Sequence, residues 1–153
     1  MDKKILTIID KTLKELMENL GVLAQAKIGP GEEEAAILVE LSSEADNALL
    51  VGYHGQNLSA LQTILGLMVF KKTGQWFHII IDVDGYRQKR QAQVEEMARR
   101  ALDQAKATGQ SIAIANLSSR ERRQVHLFFK DDSDVKTHSE GEGRGRQLII
   151  SLK

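Results

Sequence analysis

Apolar residues recur at helical spacing from the start of the chain. Ile5, Ile8, Ile9, Leu13, Leu16, Met17 and Leu20 fall on one face, and Gly21 supplies a stop. The pattern predicts an opening amphipathic helix. Two short apolar runs follow, Val22–Ile28 and Ala35–Leu41, separated by Gly29, Pro30, Gly31 and three glutamates. Glycine and proline provide turn geometry, so the pair predicts a β-hairpin. A helical segment over Glu44–Val51 leads to Gly52-Tyr53-His54-Gly55. Leu58, Leu61, Leu65, Met68 and Val69 then form a second helical stripe, ending at Lys71-Lys72-Thr73-Gly74. Phe77–Val83 is β-branched and apolar enough for a buried strand, with an exit turn at Asp82–Gly85. Residues 1–85 therefore predict the order α-β-β-α-α-β.

From Tyr86 to about Thr108 a long helix is expected, with Val94, Met97, Ala98, Ala101 and Ala105 on its apolar face and Gly109 as its stop. Ile112–Leu117 alternates like a strand. Ser118 opens the next helix with Glu121 three residues on, the reciprocal capping pattern. That helix carries Val125, Phe128 and Phe129 and is expected to end near Asp131. Val135–Ser139 and Gln147–Leu152 predict two strands joined by the glycine-rich Glu140–Arg146 segment. The second unit, 86–153, thus predicts α-β-α-β-β, and the whole chain an α+β fold.

Charge sharpens that division. The 153 residues carry no net charge. Residues 1–85, however, hold seven lysines, no arginine and twelve acidic residues, a net of −5, and residues 86–153 hold all nine arginines and a net of +5. A basic second unit is the half equipped to meet phosphates. The absence of cysteine excludes disulfides, thiolate zinc sites and cysteine nucleophiles. It accords with a reducing compartment, and a cytoplasmic location is expected. No secretion signal is evident at the start, and the apolar stretch Leu58–Phe70 is too short and mixed to span a bilayer.

Two motifs carry candidate chemistry. Gly52-x-x-Gly55 by itself is a common helix–helix turn. Between two predicted helices it places unpaired backbone N–H groups and a partial positive charge at the head of the second, where Gln56 begins. Glycine there lets a nucleic-acid backbone approach closely. Arg122-x-x-x-His126 puts a guanidinium and an imidazole on one helical face, able to grip a phosphate and to hydrogen-bond or stack, with Val125 and Phe129 turned to the core. Any helix with this spacing does the same, and a solvated pair is the plainer account. His54, His78, His126 and His138 show no compact metal-ligand spacing, and His78 is expected to pack within a strand. Trp76 and Phe77 suit base stacking, although core anchoring is the commoner role for such residues. No P-loop or dinucleotide fingerprint occurs, and a hydrolase using His126 and His138 lacks a positioned acid or metal partner.

In context these motifs gain a resemblance. Residues 1–85 resemble a type II KH domain, whose Gly-x-x-Gly loop clamps a single strand. Leu50–Gln62 is similar to the loop and following helix of the bacterial Jag (KhpB) family. That family usually places basic residues between the glycines, where this chain has Tyr53 and His54. Ser118–His126, Lys130-Asp131-Asp132, Thr137–Gly143 and Gln147–Leu152 resemble the R-three-H domain, a module associated with single-stranded DNA or RNA. The resemblance covers nearly the whole chain, without the extra N-terminal domain of many Jag proteins. It implies a binding protein for single-stranded RNA, with DNA as the alternative, and no catalysis, cofactor, metal or membrane insertion. The implied contacts are Gly52, Tyr53, His54, Gly55 and Gln56 in the first unit, and Arg122, Arg123, His126, Arg144 and Arg146 in the second. A second small KH protein, or self-association, and a role in post-transcriptional control are also implied. The rival expectation is a protein–protein interaction module that has lost nucleic-acid binding, favoured by the acidic, arginine-free first half and the neutral Tyr53-His54 pair.

Overall fold

In the computed structural model, which describes residues 3–31 and 35–153 apart from the Arg144 side chain, the opening stripe winds into α1 (Lys3–Leu20). Its face of Ile9, Leu13, Leu16 and Met17 is buried. A hairpin follows, with β1 (Gln25–Pro30) antiparallel to β2 (Ile37–Ser42) and Ile28 opposite Val39. The three glutamates expected in its loop lie outside the described residues. β1 begins three residues later than expected and takes in Pro30. A proline is tolerated there because β1 borders the sheet. Lys27, on the same border strand, forms an ion pair at 3.7 Å with Glu40 across the sheet.

The next helix is shorter than its pattern: Glu44–Asp46 form a turn, and α2 covers only Asn47–Val51. Ser43 and Asn47 explain the late start. The Ser43 N–H donates to Asn47 Oδ1 at 2.9 Å and the Asp46 N–H to Ser43 Oγ at 3.1 Å, which holds the turn in place of a helical first turn. A 3-10 turn, Tyr53–Gly55, then feeds α3 (Gln56–Thr73), which buries Leu58, Leu61, Leu65 and Val69. The chain returns as β3 (Ile79–Val83), parallel to β2 with Val39 opposite Ile81. The sheet order is β1-β2-β3. Alternate residues of β2 and β3 (Ile37, Val39, Leu41, Ile79, Ile81 and Val83) are buried with the apolar faces of α1 and α3.

The chain divides at 87/88, two residues beyond the expected boundary. The reason lies in the first turn of α4 (Tyr86–Thr108). Tyr86 packs against the first core, and Arg87 donates to the carbonyl of Ile81 at 2.6 Å. The rest of α4 belongs to the second unit, where Val94, Ala98, Ala101 and Leu102 join its core. Met97 departs from the expected apolar face and is 37% exposed. β4 (Ile112–Ile114) is only three residues long, because Asn116 takes a left-handed φ of 59° that turns the chain toward α5 (Ser119–Phe128). α5 stops at Phe128, short of Asp131. β5 (Val135–Glu140) and β6 (Gln147–Leu152) complete an antiparallel sheet in the order β4-β6-β5. Among the described residues no helix is long and apolar enough to cross a membrane.

Candidate nucleic-acid interface

Both glycines of the first motif are held by local geometry. Gly52 ends α2, donating its N–H to Ala48 at 2.9 Å, with φ 67° and ψ −173°, a combination restricted to glycine. A Cβ at that position would lie 2.4 Å from Asn57 Cγ. Asn57 is fixed in turn, because its Nδ2 donates to the carbonyl of Leu49 at 2.8 Å. Sequence reasoning gave Asn57 no role, yet it caps the end of α2 against the loop. Gly55 is buried at φ 80°, and a Cβ there would meet the Tyr86 ring at 3.0 Å. The residues between the glycines face outward. Tyr53 is 63% exposed, His54 is exposed with φ 50°, and their rings sit 4.0 Å apart at 58°. Gln56 is exposed at the head of α3, where no side chain caps the helix. The Gly55 N–H turns back to the Gly52 carbonyl at 3.4 Å and the Gln56 N–H to the carbonyl of Tyr53, so the turn offers an anion the positive end of the α3 dipole rather than these two donors.

Farther along, α3 lines a groove of about 290 Å³ with Gln62, Thr63, Gly66 and Leu67, the opposite wall being Trp76–Ile79. Two expectations are corrected here. Trp76 is 64% exposed and His78 is exposed, so neither anchors a core. The cause is the late start of β3: with Gly74 in the left-handed conformation ending α3, the chain reaches the sheet only at Ile79. Trp76 instead stacks on Phe70, ring centroids 4.5 Å apart and nearly parallel at 17°. Phe77 is half-buried and packs against the core as expected.

In the second unit the predicted capping box is complete. Ser118 Oγ accepts from the Glu121 N–H at 3.3 Å, and Glu121 Oε2 accepts from the Ser118 N–H at 2.6 Å. Glu121 also meets Arg90 Nε at 2.6 Å, with both side chains almost fully buried. Arg90 carried no signal in the sequence, because its partner is 31 residues away. The cap sets the rotation of α5. Val125 and the following Phe129 turn inward, while Arg122 and His126 share a half-buried flank. Arg122 donates to the carbonyl of Leu117 at 2.7 Å and to Ser119 Oγ at 3.3 Å. These contacts take two of its five N–H donors. His126 is anchored on β5, with Nδ1 at 2.6 Å from Thr137 Oγ1 and Nε2 at 3.4 Å from Ser139 Oγ. Thr137 and Ser139 are thus part of the site, a role that only the pairing of α5 with β5 reveals. Arg123 and Arg146 are exposed and form no ion pair with any described residue. Arg144 lies in a 3-10 turn, Gly143–Gly145, and its side chain is outside the described residues. Among the described residues no cluster suited to a metal ion occurs.

Burial, with the charges of Arg122 and His138, holds the His126 imidazole below its ordinary value of 6.5, so it is neutral near pH 7. The sign of the consequence follows. The unfolded chain takes up this proton first as pH falls, so the associated stability is full above pH 6.5 and is lost as pH drops toward the folded value. Thermal melts at descending pH are expected to show a steeper acid decline for the native chain than for His126→Asn. Parallel curves would contradict this assignment.

Comparison with known proteins gives the class first. Residues 92–152 match the R-three-H domain family, so the second unit is an R-three-H domain. The chain is also a homologue of the RNA-binding protein KhpB. It is 29% identical to KhpB of Clostridium symbiosum over 150 residues, covering 96% of this chain and 67% of that protein. It is 37% identical to KhpB of Bacillus subtilis (strain 168) over 108 residues, covering 69% of this chain and 52% of the relative. With KhpB of Lactiplantibacillus plantarum the identity is 26% over 141 residues, 92% of this chain and 43% of the relative. The chain thus spans about half the length of the last two. Neither the matched domain family nor these relatives are named for an enzymatic activity.

Proposed function

We propose that the chain binds single-stranded RNA through two surfaces, one on each unit. The observation that carries this is the state of the arginines around the Arg122-x-x-x-His126 motif. Arg122 keeps unused donors on a half-buried flank beside His126, and Arg123 and Arg146 stand at the surface with no described carboxylate to neutralise them. Relatives named RNA-binding proteins support the same reading. The first unit is proposed as a type II KH domain, supported by its α-β-β-α-α-β order and by the Gly52–Gly55 turn heading α3. RNA phosphates would meet the Gly52–Gly55 turn at the positive end of α3, Tyr53 and His54 would lie against the strand, and bases would enter the groove beside Trp76. Two modest sites on one chain raise each other's effective concentration. Action in the cytoplasm, in post-transcriptional control, alongside a second small KH protein belongs to the same proposal.

Affinity for a short single-stranded RNA is expected to fall steeply with salt, because each phosphate contact releases counterions. A titration from low to moderate salt by fluorescence anisotropy reads the slope, and salt-independent binding would remove the arginine surface from the mechanism. The combined change Tyr53→Asp with His54→Asp is expected to weaken binding by about tenfold without lowering the melting temperature, through repulsion of two or more phosphates. Unchanged affinity would take the first unit out of the site. A second reading, docking of a protein partner on the first unit, is favoured by the exposure of Ile64, Leu67 and Trp76 on its surface and by its charge of −5.

A further inference from the structure

The outer border of β3 is closed by side chains at its middle residue. The Ile81 N–H donates to Gln62 Oε1 at 3.2 Å, and the Ile81 carbonyl accepts from Arg87 Nε at 2.6 Å. A second Arg87 nitrogen donates to the same Gln62 oxygen at 2.7 Å. Arg87 is fixed in its own right, because its backbone N–H donates to Asp82 Oδ1 at 3.0 Å while Asp82 Oδ2 accepts from Gly85 at 2.8 Å. Both groups facing the Gln62 oxygen are donors, so the side-chain amide has one orientation that satisfies them. What it leaves over is its NH2, which has no partner among the described residues. Gln62 also lines the groove walled by Leu67 and Trp76.

We propose that Gln62 is the specificity-determining residue of this groove, offering an entering base a fixed hydrogen-bond donor and favouring uracil over adenine. The inference rests on the groove being an RNA site. Its chemistry is that of donor matching. Uracil carries two exocyclic carbonyl oxygens, each able to accept from the amide. Adenine has no exocyclic acceptor: its amine, placed against the fixed donor, leaves both groups unpaired. It can accept only at ring nitrogens, of which N1 and N7 lie beside that amine, so fewer of its poses satisfy the amide than uracil's. The Ile81 backbone, which would otherwise supply an acceptor to that amine, is already engaged by Arg87. Of the rest of the lining, Leu67, Trp76 and Phe77 offer apolar and stacking surface that does not distinguish one base from another, the Thr63 hydroxyl donates to the Ser59 carbonyl at 3.0 Å, and His78 has a contact of its own.

The chain has a single tryptophan, Trp76, which reports directly on the groove. Full-length protein is titrated with short oligouridylate and oligoadenylate, following tryptophan emission and, separately, the anisotropy of labelled strands. Emission is expected to change on binding, with oligouridylate bound about fivefold more tightly, the worth of one net hydrogen bond. Gln62→Glu keeps the oxygen contacts to Ile81 and Arg87 but removes the donor. It is expected to weaken both strands by repulsion and to bring their affinity ratio close to one. Gln62→Met removes the amide without adding charge, and, once shown folded by its melting curve, is expected to lose the ratio as well. Since oligoadenylate also stacks on itself, the change of ratio between native and variant proteins is the deciding quantity. Equal affinities with altered emission, or a ratio that survives both substitutions, would overturn the role of Gln62 alone. Strands that bind without any change in tryptophan emission would overturn the groove as an RNA site, and this inference with it.

Discussion

Glu121→Ala is expected to destabilise the second unit by about 3–5 kcal/mol, the usual cost of leaving one member of a buried ion pair alone. Two contacts disappear together: the ion pair with Arg90 and the acceptor for the Ser118 N–H, which leaves only half of the capping box that starts α5. Arg90 is left almost fully buried with its charge uncompensated. Urea denaturation followed by circular dichroism measures the effect. Emission of Trp76, which lies in the first unit, gives the internal comparison. A shift under about 1 kcal/mol would mean that Arg90 finds solvent, and would remove the buried pair from the account of this domain. The pH profile adds a second measurement. Burial pushes the Glu121 carboxyl up, but hydrogen bonds from Ser118 and Arg90 outweigh it and hold the group below its ordinary 4.5. Its contribution is therefore complete above pH 4.5 and is lost as pH falls through the lower folded value. Glu121→Gln, having no carboxylate to titrate, is expected to flatten that part of the curve.

Gly52→Ala is the second large effect. Backbone strain at φ 67°, ψ −173° alone costs about 1–3 kcal/mol in a residue bearing a Cβ. The new carbon would also press into Asn57, 2.4 Å from its Cγ and 2.8 Å from its Cβ, so rotation of the side chain cannot relieve the contact. Relief requires moving Asn57 off the Leu49 carbonyl and rebuilding the turn. The expected result is a lower melting temperature, together with at least a tenfold loss of affinity for single-stranded RNA, since about 1.4 kcal/mol of misplacement suffices for that factor. Destabilisation with undiminished RNA affinity would show that the turn supports the fold but does not touch the ligand.

The pattern of apolar positions was sufficient for the order of elements, because each helix buries a regular stripe and each central strand alternates. Ile9, Leu13, Leu16 and Met17 in α1 and Ile79, Ile81 and Val83 in β3 are buried as their spacing requires. Boundaries failed where polar side chains redirected the backbone. Ser43 and Asn47 shorten α2, and Asn116 cuts β4 to three residues. Of the site, the motif residues were legible and their supports were not. Arg122 and His126 announce themselves by spacing, whereas Thr137 and Ser139 join them only through the packing of α5 on β5. Trp76 misled for a general reason: a large aromatic residue ahead of an apolar run resembles a core anchor, and only the placement of β3 shows that it stays outside.

The two borders of the first sheet have a bearing on handling at high concentration. On β1 the flank holds a lysine at position 27 and an imino acid at position 30, and on β3 the backbone at Ile81 is already engaged by Gln62 and Arg87. Neither flank offers the uninterrupted ladder that another polypeptide needs to extend the sheet into a fibril. Prolonged incubation of concentrated folded protein should accordingly leave thioflavin fluorescence at baseline, and exchanging Lys27 and Pro30 for valine together should be the change that raises it.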